Sequence, residues 1–130
     1  MQLNKSSELR LAKVHPDMVK IVRRAAAITK CDFVVTCGIR TLAEQKVLVA
    51  KGASKTMRSR HLPGKGGLSH AVDLAATIAG KVRWDWPLYS QLAAAMKQAA
   101  RELQIPLEWG GDWKSFKDGP HFQLPWAKYP

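Results

Sequence analysis

A chain of 130 residues is long enough for one domain with a modest core, and 46% hydrophobic with 24% charged residues is the composition of a globular protein. Its 21 lysines and arginines against 10 acids leave a net charge of +11, which speaks to polyanionic partners (nucleic acid, an anionic membrane surface or an anionic wall polymer) and not to fold. No run of about 18 apolar residues is present, so no membrane-spanning helix is expected; the first ten residues lack the apolar core of a secretory signal, so synthesis and folding in a cytoplasm are expected.

In chain order, residues 1–14 read as an extended lead-in. His15-Pro16-Asp17 opens a helix, because proline suits a first turn whose N–H has no partner anyway. Met18, Ile21, Val22, Ala25 and Ile28 continue it at helical spacing. His15 reads as a cap-region or surface histidine. Cys31 to Cys37 is β-branched and aromatic, hence a strand. Six residues at about 3.3 Å each put the two cysteines roughly 20 Å apart, too far for a disulfide, which needs about 7 Å. Buried reduced thiols are the expectation, with Cys37 as a soft metal ligand the alternative. Gly38 breaks the strand, and Thr41-Leu-Ala-Glu44 reads as a capping box opening a helix that Gly52 ends. Arg40 lies between strand and cap. From there it is either aimed into a cleft by a rigid scaffold or solvated on a loop; position alone does not decide.

Ser59 to Asp73 (Ser-Arg-His-Leu-Pro-Gly-Lys-Gly-Gly-Leu-Ser-His-Ala-Val-Asp) is the most informative stretch. Gly64, Gly66 and Gly67 cost backbone entropy, and each suggests a conformation other residues avoid. Lys51, Lys55, Arg58, Arg60 and Lys65 make this the denser part of the positive charge. No basic recognition helix or aromatic-basic sheet accompanies them, so nucleic acid is not the expected partner. Ala71 to Ala76 reads as a buried strand carrying one carboxylate, Asp73, which needs a metal ion or an arginine for company. Strand parity puts Asp73 and Ala71 on one face, His70 and Val72 on the other. His61 is therefore preferred over His70 as a co-ligand of Asp73.

Gly80 marks a turn, and Trp84-Asp85-Trp86-Pro87 opens a third helix with Leu88, Leu92, Ala95, Met96, Ala99 and Leu103 as its apolar stripe. Leu107 to Trp109 is a short strand and Gly110 to Trp113 a loop. In the last strand, His121 to Leu124, Phe122 and Leu124 serve the core and leave His121 free to face a site. The tail from Pro125 reads as an ordered cover. No internal repeat is present.

His61, Asp73 and His121 supply two imidazoles and a carboxylate, the three protein ligands of a catalytic zinc that keeps one position for water. Asp118, three residues before His121 and held by Gly119-Pro120, is placed to act as general base and then acid. Arg40 is the candidate to steady an oxyanion.

Together, Ser59-Arg-His61, Ala71-Val-Asp73, Asp118-x-x-His121 and Gly38-Ile-Arg40-Thr41 resemble the zinc peptidases of the D-alanyl-D-alanine carboxypeptidase type. That group includes the vancomycin-resistance dipeptidases and the L-alanyl-D-glutamate endopeptidases used as phage endolysins, and Trp109-Gly-Gly-Asp112-Trp113 looks most like the endolysin branch. The resemblance spans about residues 15 to 125. It implies an α+β fold over a single domain, 1–130: a small antiparallel sheet carrying the zinc, packed by about three helices, as in hedgehog and DD-peptidase domains. It also implies Zn2+ on His61, Asp73 and His121, Asp118 as general base, and Arg40 on substrate or oxyanion. The implied substrate is the peptidoglycan stem peptide within an anionic cell envelope, reached by a monomer after holin-type release from the host cytoplasm. Two departures stand out. The stretch between His61 and Asp73 is longer than members often show, with Gly64 to Ser69 read as an inserted loop, and Asp118 stands where the dipeptidase branch has Glu. A D-alanyl-D-alanine carboxypeptidase and a non-catalytic basic binding module are the competing readings.

Overall fold

Two apolar stripes and a short sheet fix the architecture. The structure, a computed structural model, describes residues 1–54 and 56–130; Lys55 of the basic stretch lies outside the described residues. The first helix, α1 (Lys5–Leu11), corrects the extended lead-in. Asn4 caps it by accepting from the Ser7 N–H at 2.8 Å. Seven residues are too few for a helix to persist alone, so packing holds it. Leu11 joins the core, and the buried Ser7 hydroxyl accepts from the Val35 N–H at 2.9 Å. Propensity within 1–14 does not reveal that anchorage.

Helix α2 (Pro16–Ile28) starts as read, with His15 as its cap: the His15 Nδ1 accepts from the Asp17 N–H at 3.1 Å. Met18, Ile21, Val22 and Ala25 are fully buried. Strand β1 (Phe33–Cys37) leads to α3 (Leu42–Ala50), which carries the predicted capping box. Then come β2 (Ala71–Ile78), a short β3 (Lys81–Arg83) that the sequence reading did not separate from the turn at Gly80, and α4 (Trp86–Leu103). Strands β4 (Glu108–Trp109) and β5 (His121–Gln123) complete the order. Among the described residues there are thus four α-helices, one more than the stripes indicated. Cys31 precedes the strand, and both cysteines are free.

The sheet is antiparallel, ordered β1-β2-β5-β4, with β3 paired to the far half of β2. One face belongs to the core: Phe33, Val35, Val72, Leu74, Phe122 and Leu124 pack against the stripes of α2 and α4, which also lie against each other. Strand parity then turns Asp73 and His121 to the opposite face. In the long loop before β2, Gly66 and Gly67 have φ of +74°, a region that favours glycine.

Candidate metal centre

Register explains why the key side chains meet. Asp73 pairs with His121 on one side and with Cys37 on the other, the latter across an irregularity between Val35 and Cys37. Residues directly opposite in an antiparallel pair project from the same face. Cys37, Asp73 and His121 therefore form a row across three strands. His61 enters from the loop. Its carbonyl accepts from the Arg40 N–H at 2.8 Å, its N–H donates to the Ser59 hydroxyl at 3.1 Å, and the His70 N–H donates to the Arg60 carbonyl at 2.9 Å. These bonds pin the loop to both ends of the site and bring in a residue that is distant in sequence.

Three atoms converge. His61 Nε2 lies 3.1 Å from Asp73 Oδ1, His121 Nδ1 lies 3.3 Å from the same oxygen, and the two nitrogens are 3.2 Å apart. The outer ring nitrogens are already committed: His61 Nδ1 to the Gly38 carbonyl at 2.8 Å, and His121 Nε2 to Gln123 Oε1 at 2.7 Å. Both partners are acceptors, so the outer nitrogens carry the protons and the inner ones, in neutral rings, present lone pairs. Two lone pairs and a carboxylate oxygen then face one another, an arrangement that repels unless a cation sits among them. That donor set suits a divalent metal ion with room for a further ligand.

Without such a cation the cluster takes up a proton. Burial alone would lower the pKa of His61, but the charge and hydrogen bond of Asp73 reverse this and lift it to about 10. Burial likewise pushes the Asp73 carboxyl up, while His61 and His121 hold it well below its ordinary value. A metal ion would take the place that this proton occupies.

Asp118 stands at the mouth, with one oxygen within 4.8 Å of the ligand atoms of Asp73 and His121. Partial desolvation, and then the Asp73 charge, raise its pKa above the usual carboxylate value. The backbone fixes its position: the Asp118 N–H donates to the Gly110 carbonyl at 3.0 Å, and its carbonyl accepts from the His121 N–H at 3.2 Å. A Cβ on Gly110 would collide with the Asp118 carbonyl, which is why glycine is needed there. Trp109 Nε1 braces the next residue through the Gly119 carbonyl at 2.7 Å.

Arg40 faces the cleft, which settles the choice that position left open. Its Nη2 lies 3.8 Å from Asp73 Oδ2 and its Nη1 donates to Gln45 Oε1 at 2.7 Å. His70 turns away, as parity requires. Its ring lies 5.2 Å from that of His15 and 6.3 Å from that of Tyr129, and its Nδ1 is buried with no hydrogen-bond partner among the described residues. Cys37 approaches the wrong nitrogen for the convergence: its sulfur is 3.6 Å from His61 Nδ1, the one bonded to Gly38. It flanks the three inner donors, although its sulfur, His61 and Asp73 offer ligand atoms within 4.8 Å of one another.

The sequence reading missed the supporting residues. Gln123 orients His121 and in turn donates to Glu108 Oε2 at 3.2 Å, which also accepts from Trp113 Nε1 at 3.0 Å. Parity put Gln123 on the face of His121, and that was a usable signal. Nothing local marks Glu108. Arg60, counted with the denser stretch of positive charge, is buried, only 4% exposed. Its guanidinium donates to the carbonyls of Leu124 and Tyr129 and so ties the C-terminal tail to the loop.

Residues 1–124 match the family model described as phage L-alanyl-D-glutamate peptidase. The chain is 36% identical over 121 residues to the L-alanyl-D-glutamate peptidase of Escherichia phage T5, covering 90% of this chain and 85% of that one. It is 31% identical over 112 residues to the peptidoglycan L-alanyl-D-glutamate endopeptidase CwlK of Bacillus subtilis, covering 79% and 66%. The solved structure of the Serratia marcescens L-Ala D-Glu endopeptidase ChiX superposes with a TM-score of 0.90 at 46% identity, covering 100% of this chain and 94% of that one. The vancomycin-resistance D,D-dipeptidase VanXYg superposes with a TM-score of 0.52 at 16% identity, covering 85% and 50%, a likeness of fold.

Proposed function

The chain belongs to the phage L-alanyl-D-glutamate peptidase family, and on that footing we propose that it is a zinc-dependent endopeptidase. It cuts the L-alanyl-D-glutamate bond of peptidoglycan stem peptides, with His61, Asp73 and His121 holding the metal. The observation that carries the reading is the convergence of two imidazole lone pairs and a carboxylate oxygen, with a second carboxylate, Asp118, within 4.8 Å.

Zinc supplies Lewis acidity, which polarises a carbonyl and makes a water nucleophile available at neutral pH. The chain's own groups do the rest. Asp118 takes the proton of the attacking water on a carboxylate oxygen and passes it to the leaving D-glutamate nitrogen; its raised pKa suits a group that must both accept and give. Arg40 donates to the oxygen of the attacked carbonyl as negative charge develops there, and Gln45 keeps its guanidinium in place. The Gly38 carbonyl and Gln123 hold the two imidazoles in the tautomers that expose Nε2 of His61 and Nδ1 of His121. In this reading the enzyme is an endolysin, which reaches the wall through a holin-type pore.

Mass spectrometry of fragments released from purified peptidoglycan tests the proposal. New L-alanine C-termini and D-glutamate N-termini, lost on chelation and restored by zinc, are expected. Release of terminal D-alanine alone would instead indicate a carboxypeptidase, and zinc binding without any release a binding module.

A further inference from the structure

The cleft over the metal cluster, about 760 Å³, is lined by four cationic side chains: Arg40, Arg58, Arg60 and Lys117. Two are committed inside the fold. Arg40 is bonded to Gln45 and faces Asp73, and the buried Arg60 donates to the Leu124 and Tyr129 carbonyls. Arg58 and Lys117 are exposed and have no carboxylate partner among the described residues.

Arg58 differs from Lys117 in being held. Its guanidinium carbon lies 4.5 Å from the centre of the Trp126 ring, and that of Arg60 lies 3.9 Å from the same ring. Stacking on an indole orders a flexible arginine and keeps its planar donor fork available for a carboxylate. Two guanidiniums on one ring also repel each other, and an anion docked on the outer one relieves this. The place is right as well. Arg58 is three residues from His61, so their Cα atoms are at most about 11 Å apart, and both residues line one cleft. A bond cut before D-glutamate leaves two carboxyl groups on the leaving side, within a few bonds of the scissile nitrogen. Only one of them carries the peptide onward.

We propose that Arg58, held by Trp126, binds the free carboxylate of the leaving D-glutamate and so makes the enzyme prefer glutamate to its amide at that position. The proposal rests on the endopeptidase reading above and adds a residue that sets substrate choice.

The test uses two soluble stem peptides containing the L-alanyl-D-glutamate bond, identical except that the free carboxylate is replaced by a carboxamide in one. The zinc-loaded wild type should show a higher kcat/KM on the carboxylate. In Arg58→Gln the ratio between the two substrates should fall about ten-fold, chiefly through KM on the carboxylate, the loss expected for a charge-assisted hydrogen bond. Arg58→Lys keeps the charge without the fork, and should fall between them. Zinc content and melting temperature, measured on each variant, show that the cluster and fold are kept. A wild type that cleaves both peptides equally overturns the proposal and leaves the endopeptidase reading standing, as does an Arg58→Gln variant that loses the same factor on both. A wild type that cleaves neither peptide and releases nothing from peptidoglycan overturns both.

Discussion

Asp118 is the residue whose chemistry and structural role separate most cleanly. Its backbone is tied down by Gly110 and His121, while its carboxyl, within 4.8 Å of the ligand atoms of Asp73 and His121, lies outside the trio of His61, Asp73 and His121 whose atoms approach to 3.3 Å or less. Asp118→Asn should therefore keep the fold and the bound zinc while hydrolysis drops about 10²- to 10⁴-fold, the span typical of a lost general base. Metal analysis beside single-turnover kinetics checks this, and a fully active Asn variant removes Asp118 from the mechanism. His70 makes a different residue-scale case. Burial, then the charges of Arg60 and His15, depress its pKa in the folded state, whereas an unfolded histidine titrates near 6.5. Below that pH the unfolded chain binds a proton the folded chain refuses, so the contribution is complete above about 6.5 and is lost as pH falls. Subtracting the stability curve of His70→Asn from that of the wild type should give a difference that slopes between pH 7.5 and 5. A flat difference would mean that His70 titrates alike in both states.

At the scale of elements, α3 is held by polar bonds more than by packing. Its only buried residue is Gln45, while Leu42 and Val47 are exposed. Gln45 accepts from Arg40 and donates to the Ser54 hydroxyl at 2.8 Å and the Thr56 carbonyl at 2.6 Å. It thus joins the helix, the oxyanion candidate and the loop that leads to Arg58. Gln45→Leu leaves those partners unpaired and should cost about 2 kcal/mol or more of stability. Activity should fall further than the folded fraction does, because Arg40 loses its brace. Denaturant unfolding combined with kcat under folding conditions separates the two effects, and a kcat equal to the wild type's would show that Arg40 needs no brace. The same helix shows what was legible. Its capping box and terminal glycine could be read directly, because those bonds are local and depend on residue type. So could the stripes of α2 and α4, and the parity that set His61 against His70. The reason for α3 could not, since Gln45 acts through partners brought close only by the fold. Helix α1 was hidden for the same reason, its support coming from Val35 and the core. Arg60 was misjudged because composition counts a charge without showing whether backbone carbonyls surround it.

Over the whole molecule the decisive quantity is how the acids are spent. Glu8 pairs with Arg23, Glu102 with Arg24, Asp85 with Arg83 and Asp112 with Lys97. Glu44 closes the cap of α3, Asp17 accepts from Tyr129, Glu108 serves Gln123 and Trp113, and Asp73 faces His61 and His121 in the candidate metal centre. With most of the 10 acids engaged at short range, most cations among the described residues have no carboxylate partner, and the net +11 is left uncompensated. That field reaches about 10 Å at 0.1 M salt and about 3 Å at 1 M. Such a field concentrates the protein on an extended anionic polymer and adds little for a short peptide that carries few charges of its own. Lysis of intact walls should therefore fall steeply as salt rises from 0.05 to about 0.5 M, while hydrolysis of a soluble, amidated stem peptide changes much less. Turbidity clearing and peptide kinetics, run in the same buffers, make the comparison. Equal losses on both substrates would place the effect of salt in the cleft itself, and the positive surface would then have no part in bringing enzyme and wall together.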